Sequence, residues 1–483
     1  MGLKEDAKFA RYITMGALGA QRVAEDLTLR GHHIIELERY SLANKIWSTK
    51  IKRLRMADLV CASCGRRFEA KAKRELEVKL SDSRQAGRGW SDGMRDDDIF
   101  AFLAVTLDEE NLPLAIGEPL YVSTRSMRSV QPRQGQLKSA ADGSERDVYW
   151  PITLAKRDGT VTRVAGGRIT IKSPSARAST LGRSADIPLV GAGERVAAGM
   201  VIGSAVTLAT RLDCPGASWG LAGALRGGDE VEVFAAVKAI GALRVSKLAG
   251  PVRDIAHDVA RDMRLRAEAL STLALLGDRG AVGQLAQAPN SDAAMQMECV
   301  LILSELVGVG TATDALRDIA SSGNNADEIR AAAAWGLGAS WHDRFGYLWP
   351  LAFDESEKVR RHAQASIGAP GSSDIPDLIG ALKDEDRAPF AAAILARSGA
   401  VAELVESLTD PSTAPWALQA LGQIPPAQVQ DLSNQLSDRN RMALDALWRR
   451  NLHDAHNEPT NLTELKFLAG QSLRARRRES NKS

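Results

Sequence analysis

Along the second half of the chain, apolar residues recur at helical spacing and each run stops at a glycine. Val233–Gly241 (VFAAVKAIG), Arg330–Gly338 (RAAAAWGLG), Arg360–Gly368 (RRHAQASIG) and Ala414–Gly422 (APWALQALG) are four such runs. Looser copies end at Gly277 and Gly308, and Pro389–Gly399 fills the next interval. Glycines 241, 277, 308, 338 and 368 lie 36, 31, 30 and 30 residues apart. Glycine suits the position after a helix because the left-handed conformation costs it nothing. Second helices are predicted over Ala281–Ala286, Ala315–Ala320, Ile375–Leu382 and Val401–Leu408. Acidic turns then restart the cycle at Asp327-Glu328, Asp354-Glu355, Asp384–Asp386 and Asp410, where a carboxylate caps the next helix and favours its dipole. The first half reads differently. Residues 7–30 have the spacing of a helix (Phe9, Ile13, Leu18, Val23, Leu27), stopped by Gly31. Strands are predicted over His33–Glu38, over the basic–apolar alternation Lys50–Val60, and over Arg67–Lys73, with Cys61–Gly65 as a turn. Ile99–Leu107 reads as a buried strand and Glu118–Thr124 as another. Asp158-Gly159 between Ile152–Ala155 and Val161–Val164 reads as a hairpin, and Thr170–Lys172 continues the β character. Residues 186–228 are ambiguous and leave room for an atypical capping repeat.

The helical pairs resemble HEAT repeats of the short, Ala-rich bacterial kind, over about residues 229–450. A single pair cannot bury its apolar face, so such pairs stack into a curved solenoid. Trp335, Trp341, Trp349 and Trp416 stand at helical spacing and read as core. The expected class is a multidomain α/β plus α chain. Its divisions are an α/β domain at 1–125, a β-rich connecting segment at 126–185, HEAT-like helices at 186–460 and a basic tail at 461–483.

Composition narrows the function. A chain of 483 residues is too long for one small core, and 44% hydrophobic with 25% charged residues excludes a disordered chain. No apolar run reaches the roughly 18 residues of a membrane span, and the first eight residues lack the apolar core of a secretion signal. Four cysteines cannot staple a chain this size, which points to a reducing cytoplasm. Residues 1–90 hold 19 Lys and Arg against 11 Asp and Glu, whereas the whole chain holds 62 against 60. A basic region on a slightly acidic body suggests contact with a polyanion.

The chemistry is concentrated in that basic region. Asp58 lies 11 positions before Glu69, on strands joined by a short turn, and Glu69 and Lys71 share one strand face. Two carboxylates and a lysine then converge. This arrangement (Ala57-Asp58, then Glu69-Ala70-Lys71) resembles the PD-(D/E)XK, or restriction-endonuclease-like, nuclease superfamily over roughly residues 7–125. The resemblance implies a core of helix, three strands, helix and strand, a mixed sheet with flanking helices. It implies Asp58, Glu69 and Lys71 as catalytic residues, with Asp58 and Glu69 as ligands of Mg2+ or Mn2+ and Glu25 on the first helix as a further ligand. Ala57 replaces the usual proline, and the polar, Gly-rich stretch Asp82–Asp98 leaves the second helix unlocated. A second copy of the string, Glu77-Val78-Lys79, lies eight residues on. Glu69 is preferred because it follows the Asp by one hairpin.

Downstream, Arg84, Arg88, Trp90 and Arg95 interleave base with aromatic, a pattern suited to nucleic-acid contact. It equally suits a loop pinned by Trp90. Asp96–Asp98 reads as a cap for the strand after it. Cys61-x-x-Cys64 supplies two of the four ligands that a structural zinc needs. Cys214 and Cys299 are remote, and nothing in the spacing requires His32 or His33 to approach, so a reduced turn is favoured over zinc. No phosphate-binding loop, GxSxG or HExxH is present. The sequence therefore points to a Mg2+-dependent DNA endonuclease in the cytoplasm. Its repeats would dock nucleic acid, a protein partner or a second subunit, in the manner of a bacterial defence or restriction-type effector, with no membrane partner. The alternative is a non-catalytic nucleic-acid-binding scaffold with a degenerate nuclease fold.

Overall fold

Strand β3 (Arg67–Lys73) alternates charged and apolar residues, and each set finds a different neighbour. In the computed structural model β3 is the central strand of a five-stranded sheet ordered β1–β2–β3–β5–β6. The others are β1 (Ile34–Glu36), β2 (Leu59–Cys61), β5 (Ile99–Leu107) and β6 (Pro113–Ser123). The structure describes residues 7–37, 47, 49, 56–83, 85, 88–107, 113–137, 145–173, 179–181, 187–287, 292–340, 344–368, 370–429 and 435–454. The predicted strand start at Lys50 and the basic tail lie outside them. β1, β2 and β3 form an antiparallel meander, β5 runs parallel to β3, and β6 is antiparallel to β5.

Helix α1 (Ala7–Leu29) covers one face. Its Val23 and Leu27 meet Leu59, Phe68, Ala101 and Tyr121. A Cβ added at Gly19 would stand 2.7 Å from the Ala72 Cβ, so glycine permits this close approach. Tyr121 donates its hydroxyl to Asp26 at 2.6 Å and Arg30 donates to the same carboxylate at 2.8 Å, tying the end of α1 to β6. Burial opposes charge on Asp26, yet the bonds from Arg30 and Tyr121 hold its carboxyl below the usual range.

The other face carries a second sheet, ordered β4–β8–β7, from β4 (Val78–Ser83), β8 (Glu145–Trp150) and β7 (Arg133–Leu137). Phe100 and Phe102 of β5 and Leu120 and Val122 of β6 pack on Val78, Leu80, Val148 and Trp150. β5 is thus buried on both faces, which explains its unbroken apolar run. The connection from β3 to β5 was expected to hold a core helix. Among the described residues it holds β4 and turns instead, because the stretch lacks helical spacing and β4 finds a partner in β8.

Asp98 closes this arrangement. Wholly buried, it accepts from Arg67 Nε at 2.8 Å and from the Arg95 backbone at 2.6 Å, and its carbonyl accepts from the Thr124 backbone at 2.8 Å. The run Asp96–Asp98 therefore holds β3, β5 and the end of β6 together.

The hairpin expected at Asp158-Gly159 is displaced. β9 (Ile152–Leu154) pairs with β15 (Val201–Ser204), and the hairpin is β10 (Gly159–Ala165) with β11 (Arg168–Lys172). Its turn is Gly166-Gly167, with φ of 56° and 71°, the two positive values that a tight hairpin turn asks for. β12 (Ser179–Leu181), β13 (Ile187–Pro188) and β14 (Arg195–Val196) complete two small sheets. Strands thus continue to Ser204, so the boundary expected at 186 is corrected. After a short helix at Leu221–Ala224, a run of helices begins at Glu230.

The described residues divide into two compact units: 8–276 without 47 and 49, and 7, 47 and 49 with 277–454. In the first, helix Glu230–Ala242 packs on Met263–Leu275, with Lys238 and Glu268 paired at 3.6 Å and almost fully buried. In the second, helix Asp327–Leu337 packs against Ala293–Glu305, Ala312–Ser321 and Glu357–Ser366. Arg330 donates to the Ala320 carbonyl and pairs with Asp354. Thr49 donates backbone and hydroxyl to Glu328, and Trp47 packs on Trp335 and His362. The run-ending glycines play two parts. Gly277, Gly308, Gly368 and Gly399 have positive φ, as expected. Gly241, Gly338 and Gly422 do not; a Cβ on Gly338 would stand 2.7 Å from the Ser366 Cβ, so that glycine lets two helices touch. No helix among the described residues is long and apolar enough to cross a membrane.

Two expectations follow. Asp98→Ala leaves the Arg67 guanidinium buried without its carboxylate and should destabilise the first unit by about 3–5 kcal/mol in equilibrium urea unfolding. Gly338→Ala should cost about 1–3 kcal/mol through overpacking, read as a lowered midpoint of the second unit's unfolding.

Candidate active site

The β2–β3 register pairs Leu59 with Phe68 and Val60 with Arg67, so one step further Asp58 stands opposite Glu69. Directly opposed residues share a face. The two acids interlock through the backbone: the Asp58 N–H donates to Glu69 Oε2 at 3.1 Å, and the Ala70 N–H donates to Asp58 Oδ2 at 2.9 Å. Lys71 donates to the other oxygen of Glu69. The structure therefore brings Asp58, Glu69 and Lys71 together on one side of the hairpin. The Glu69 side chain is only 16% exposed. Burial and then the Asp58 charge push its carboxyl up to about 7.

The charged face of β3 continues beyond these three. Burial lowers the pKa of Lys73, whose amine also feels Glu77, Lys79, Lys71 and Asp147. Glu77 and Lys79 pair at 3.0 Å, and Lys79 lies 3.9 Å from Asp147 of β8. The second copy of the motif thus borders the same strip from the facing sheet, and neither Lys73 nor Asp147 was singled out from sequence. Only their register on β3 and β8 reveals them, and β8 pairs with β4 across more than 60 residues of chain.

Other candidates are placed elsewhere. Glu25 pairs with Arg22 at 2.8 Å on the surface of α1, and α1 covers the Phe68–Ala70 face, opposite to Glu69. It is not brought to the two carboxylates, because alternation along β3 sends the acids away from that helix. Trp90 packs on Trp150 at 4.8 Å and on Phe100, and its backbone N–H donates to Asp82. It anchors its loop to the core. Arg95 is held by Asp98 and the Gly65 carbonyl. Arg88 is exposed, and Arg84 lies outside the described residues.

A second group of donors gathers at the turn of the same hairpin. His32, Cys61, Cys64 and Cys214 present ligand atoms that all lie within 4.8 Å of one another. Cys61 and Cys64 were visible as a pair in sequence; His32 and Cys214 reach them through the fold. Cys299 is buried in helix Ala293–Glu305 of the other unit.

No protein-family model and no curated protein matches this chain. Among solved structures, human deoxyhypusine hydroxylase in complex with glycerol is similar at 19% identity and a TM-score of 0.23, over 44% of this chain and 99% of that one. A similarity this weak carries no argument about fold or activity.

The packing of Trp90 has a measurable consequence. Trp90→Ala should destabilise the first unit by about 2–3 kcal/mol, below the roughly 3–5 of a fully buried tryptophan. Urea unfolding with an unchanged midpoint would show that the ring is not part of the core.

Proposed function

We propose that the chain is a metal-dependent phosphodiester hydrolase, a DNA endonuclease of the restriction-endonuclease-like kind. The observation that carries this reading is the interlocked pair Asp58–Glu69 with Lys71 on the same face. The strand arrangement supports it: an antiparallel β1–β2–β3 meander with β5 parallel beside β3, and the acids one residue before β2 and on β3. Two adjacent carboxylates with no sulfur or imidazole among them fit a hard cation, so Asp58 and Glu69 would hold Mg2+ or Mn2+. When bound, such an ion neutralises phosphate charge and supplies an acidic water. The chain's own contribution is positioning. The ladder fixes Asp58 against Glu69, and the Ala70 N–H holds the Asp58 carboxylate in one orientation. Lys71 brings an ammonium with three donors to that spot, one of them engaged by Glu69, able to orient a water or meet a phosphate oxygen. Lys73 and Lys79 add further cations beside the acids, Lys79 paired with Glu77.

The helical repeats, in this reading, dock a partner protein, a second subunit or nucleic acid, and the architecture by itself suggests a defence or restriction-type effector. A non-catalytic scaffold is favoured by two observations: no helix among the described residues separates β3 from β5, and Glu25 is engaged by Arg22.

Cleavage of plasmid, single-stranded DNA and RNA with Mg2+ or Mn2+ distinguishes the two. Lys71→Ala should lower cleavage by about 100- to 1,000-fold, the usual loss for a positioned electrostatic group. It should leave binding nearly intact, with the salt slope reduced by about one. Glu69→Ala should lose cleavage and regain part of it at raised metal concentration. Wild-type cleavage by Lys71→Ala together with a dead Lys79→Ala would transfer the role to the second copy of the motif. No cleavage by the wild type on any substrate, with binding retained, would establish the scaffold.

A further inference from the structure

We propose that His32, Cys61, Cys64 and Cys214 form a closed tetrahedral site for one zinc ion, stapling the β2–β3 turn to the segment after β15. This site shares no residue with the carboxylate pair. The distances fit a single ion. Cys61 Sγ and Cys214 Sγ are 3.8 Å apart, and Cys64 Sγ and His32 Nδ1 are 3.6 Å apart. Tetrahedral bonds of about 2.3 Å to sulfur and about 2.0–2.1 Å to nitrogen place two sulfurs about 3.8 Å apart, and a sulfur and a nitrogen about 3.6 Å apart. A disulfide needs about 2.05 Å between sulfurs and would leave the other two donors unused.

The surroundings are those of a ligand set. His32 is buried, and its Nε2 lies 2.7 Å from the Leu212 carbonyl. A carbonyl can only accept, so Nε2 carries the proton and Nδ1 keeps its lone pair towards Cys64. A histidine ligand is commonly oriented by this kind of bond. The turn is closed by its own backbone: the Cys61 N–H donates to the Arg66 carbonyl at 2.9 Å. Gly65, at φ 74°, donates to the Cys61 carbonyl at 2.8 Å and lies under the Trp219 ring, which a Cβ would meet at 2.8 Å. The fourth ligand is held from both sides. The Cys214 N–H donates to the Arg30 carbonyl at 3.0 Å, and the Trp219 N–H donates to the Ser63 carbonyl at 3.1 Å. Three thiolates and an imidazole select zinc over a hard cation. Four protein ligands leave no position for water, which marks the site as structural.

The test uses the full chain, purified reduced from zinc-containing medium and dialysed. About one zinc per chain should be retained, and should be released when a mercurial modifies the thiols. Replacing it with cobalt should give thiolate charge-transfer bands and the intense visible bands of a tetrahedral ion. Cys214→Ser should weaken zinc binding more than about tenfold. Cys299→Ser and Glu69→Ala should keep the full zinc content, which separates this site from the proposed nuclease centre. A ligand variant can misfold, so the cobalt spectrum of the wild type stands as the second readout. Stoichiometric iron, a six-coordinate cobalt spectrum, a disulfide among the three cysteines, or a metal-free native chain whose thiols all titrate would each overturn the proposal.

Discussion

The carboxylate of Asp98 is the contact on which the first unit depends. A parallel strand pair has no hairpin to fix it, so β5 must be brought beside β3 by something in the connection between them. Arg67 opens β3 and Asp98 immediately precedes β5, and their bidentate pair, almost completely excluded from water, sets where the two strands start. The same residue takes the Arg95 backbone and hands its own carbonyl to Thr124. β3, β5, β6 and the loop between them therefore meet at one charge. A buried pair of this kind adds little to stability over an apolar substitute but is costly to break. Its value here is geometric: with Arg67 fixed, the parity of every later residue on β3 is fixed too.

That parity decides where chemistry is possible. Phe68, Ala70 and Ala72 must face α1, so Glu69, Lys71 and Lys73 must face the other way, towards the second sheet. On β5 the same side is occupied by Phe100 and Phe102, which bury themselves against β4 and β8. The charged strip is thus the polar continuation of an apolar seam between two sheets. Partial burial keeps Glu69 close to protonation at neutral pH and Lys73 less basic than in water, because neither charge is fully hydrated. Loss of solvent is the larger cause for both groups, and the neighbouring charges of the strip come second.

The elements that sequence made legible are those whose partners lie close along the chain. α1, the alternation of β3, the unbroken run of β5 and the glycine-terminated helices all appear from local pattern. Asp58 and Glu69 could be placed together because one short turn separates them. What stayed hidden depends on pairings across long stretches. β4 takes β8 as its partner, which removes the expected helix and adds Asp147 to the charged strip. β9 takes β15, which moves the hairpin to Gly166-Gly167 and carries strand structure past residue 186. Gly338 and Gly277 look alike in sequence, yet one admits a neighbouring helix and the other turns the chain. Trp90 among arginines matches a nucleic-acid surface as well as a packed loop; its contact with Trp150 selects the packed loop. His32 and Cys214 carry no local signal at all, since 180 residues separate His32 from the carbonyl that orients it.

The β2–β3 hairpin carries both donor sets, and they are unlike in every chemical respect. The acids sit within the ladder as hard oxygen donors, and the thiols and imidazole sit at its turn as soft ones, so no single ion suits both. Strand pairing makes the two ends interdependent. β2 is short, and a slip of one residue along β3 would turn Asp58 to the α1 face and put it opposite Phe68 or Ala70. Local ladder bonds oppose such a slip only weakly in a strand of three residues. A metal closing the turn at Cys61 and Cys64, and anchored outside the hairpin through His32 and Cys214, would oppose it strongly, because the turn cannot shift without breaking bonds to the ion. On this argument a metal in the soft site would take no part in chemistry and would hold the register that keeps Asp58 opposite Glu69.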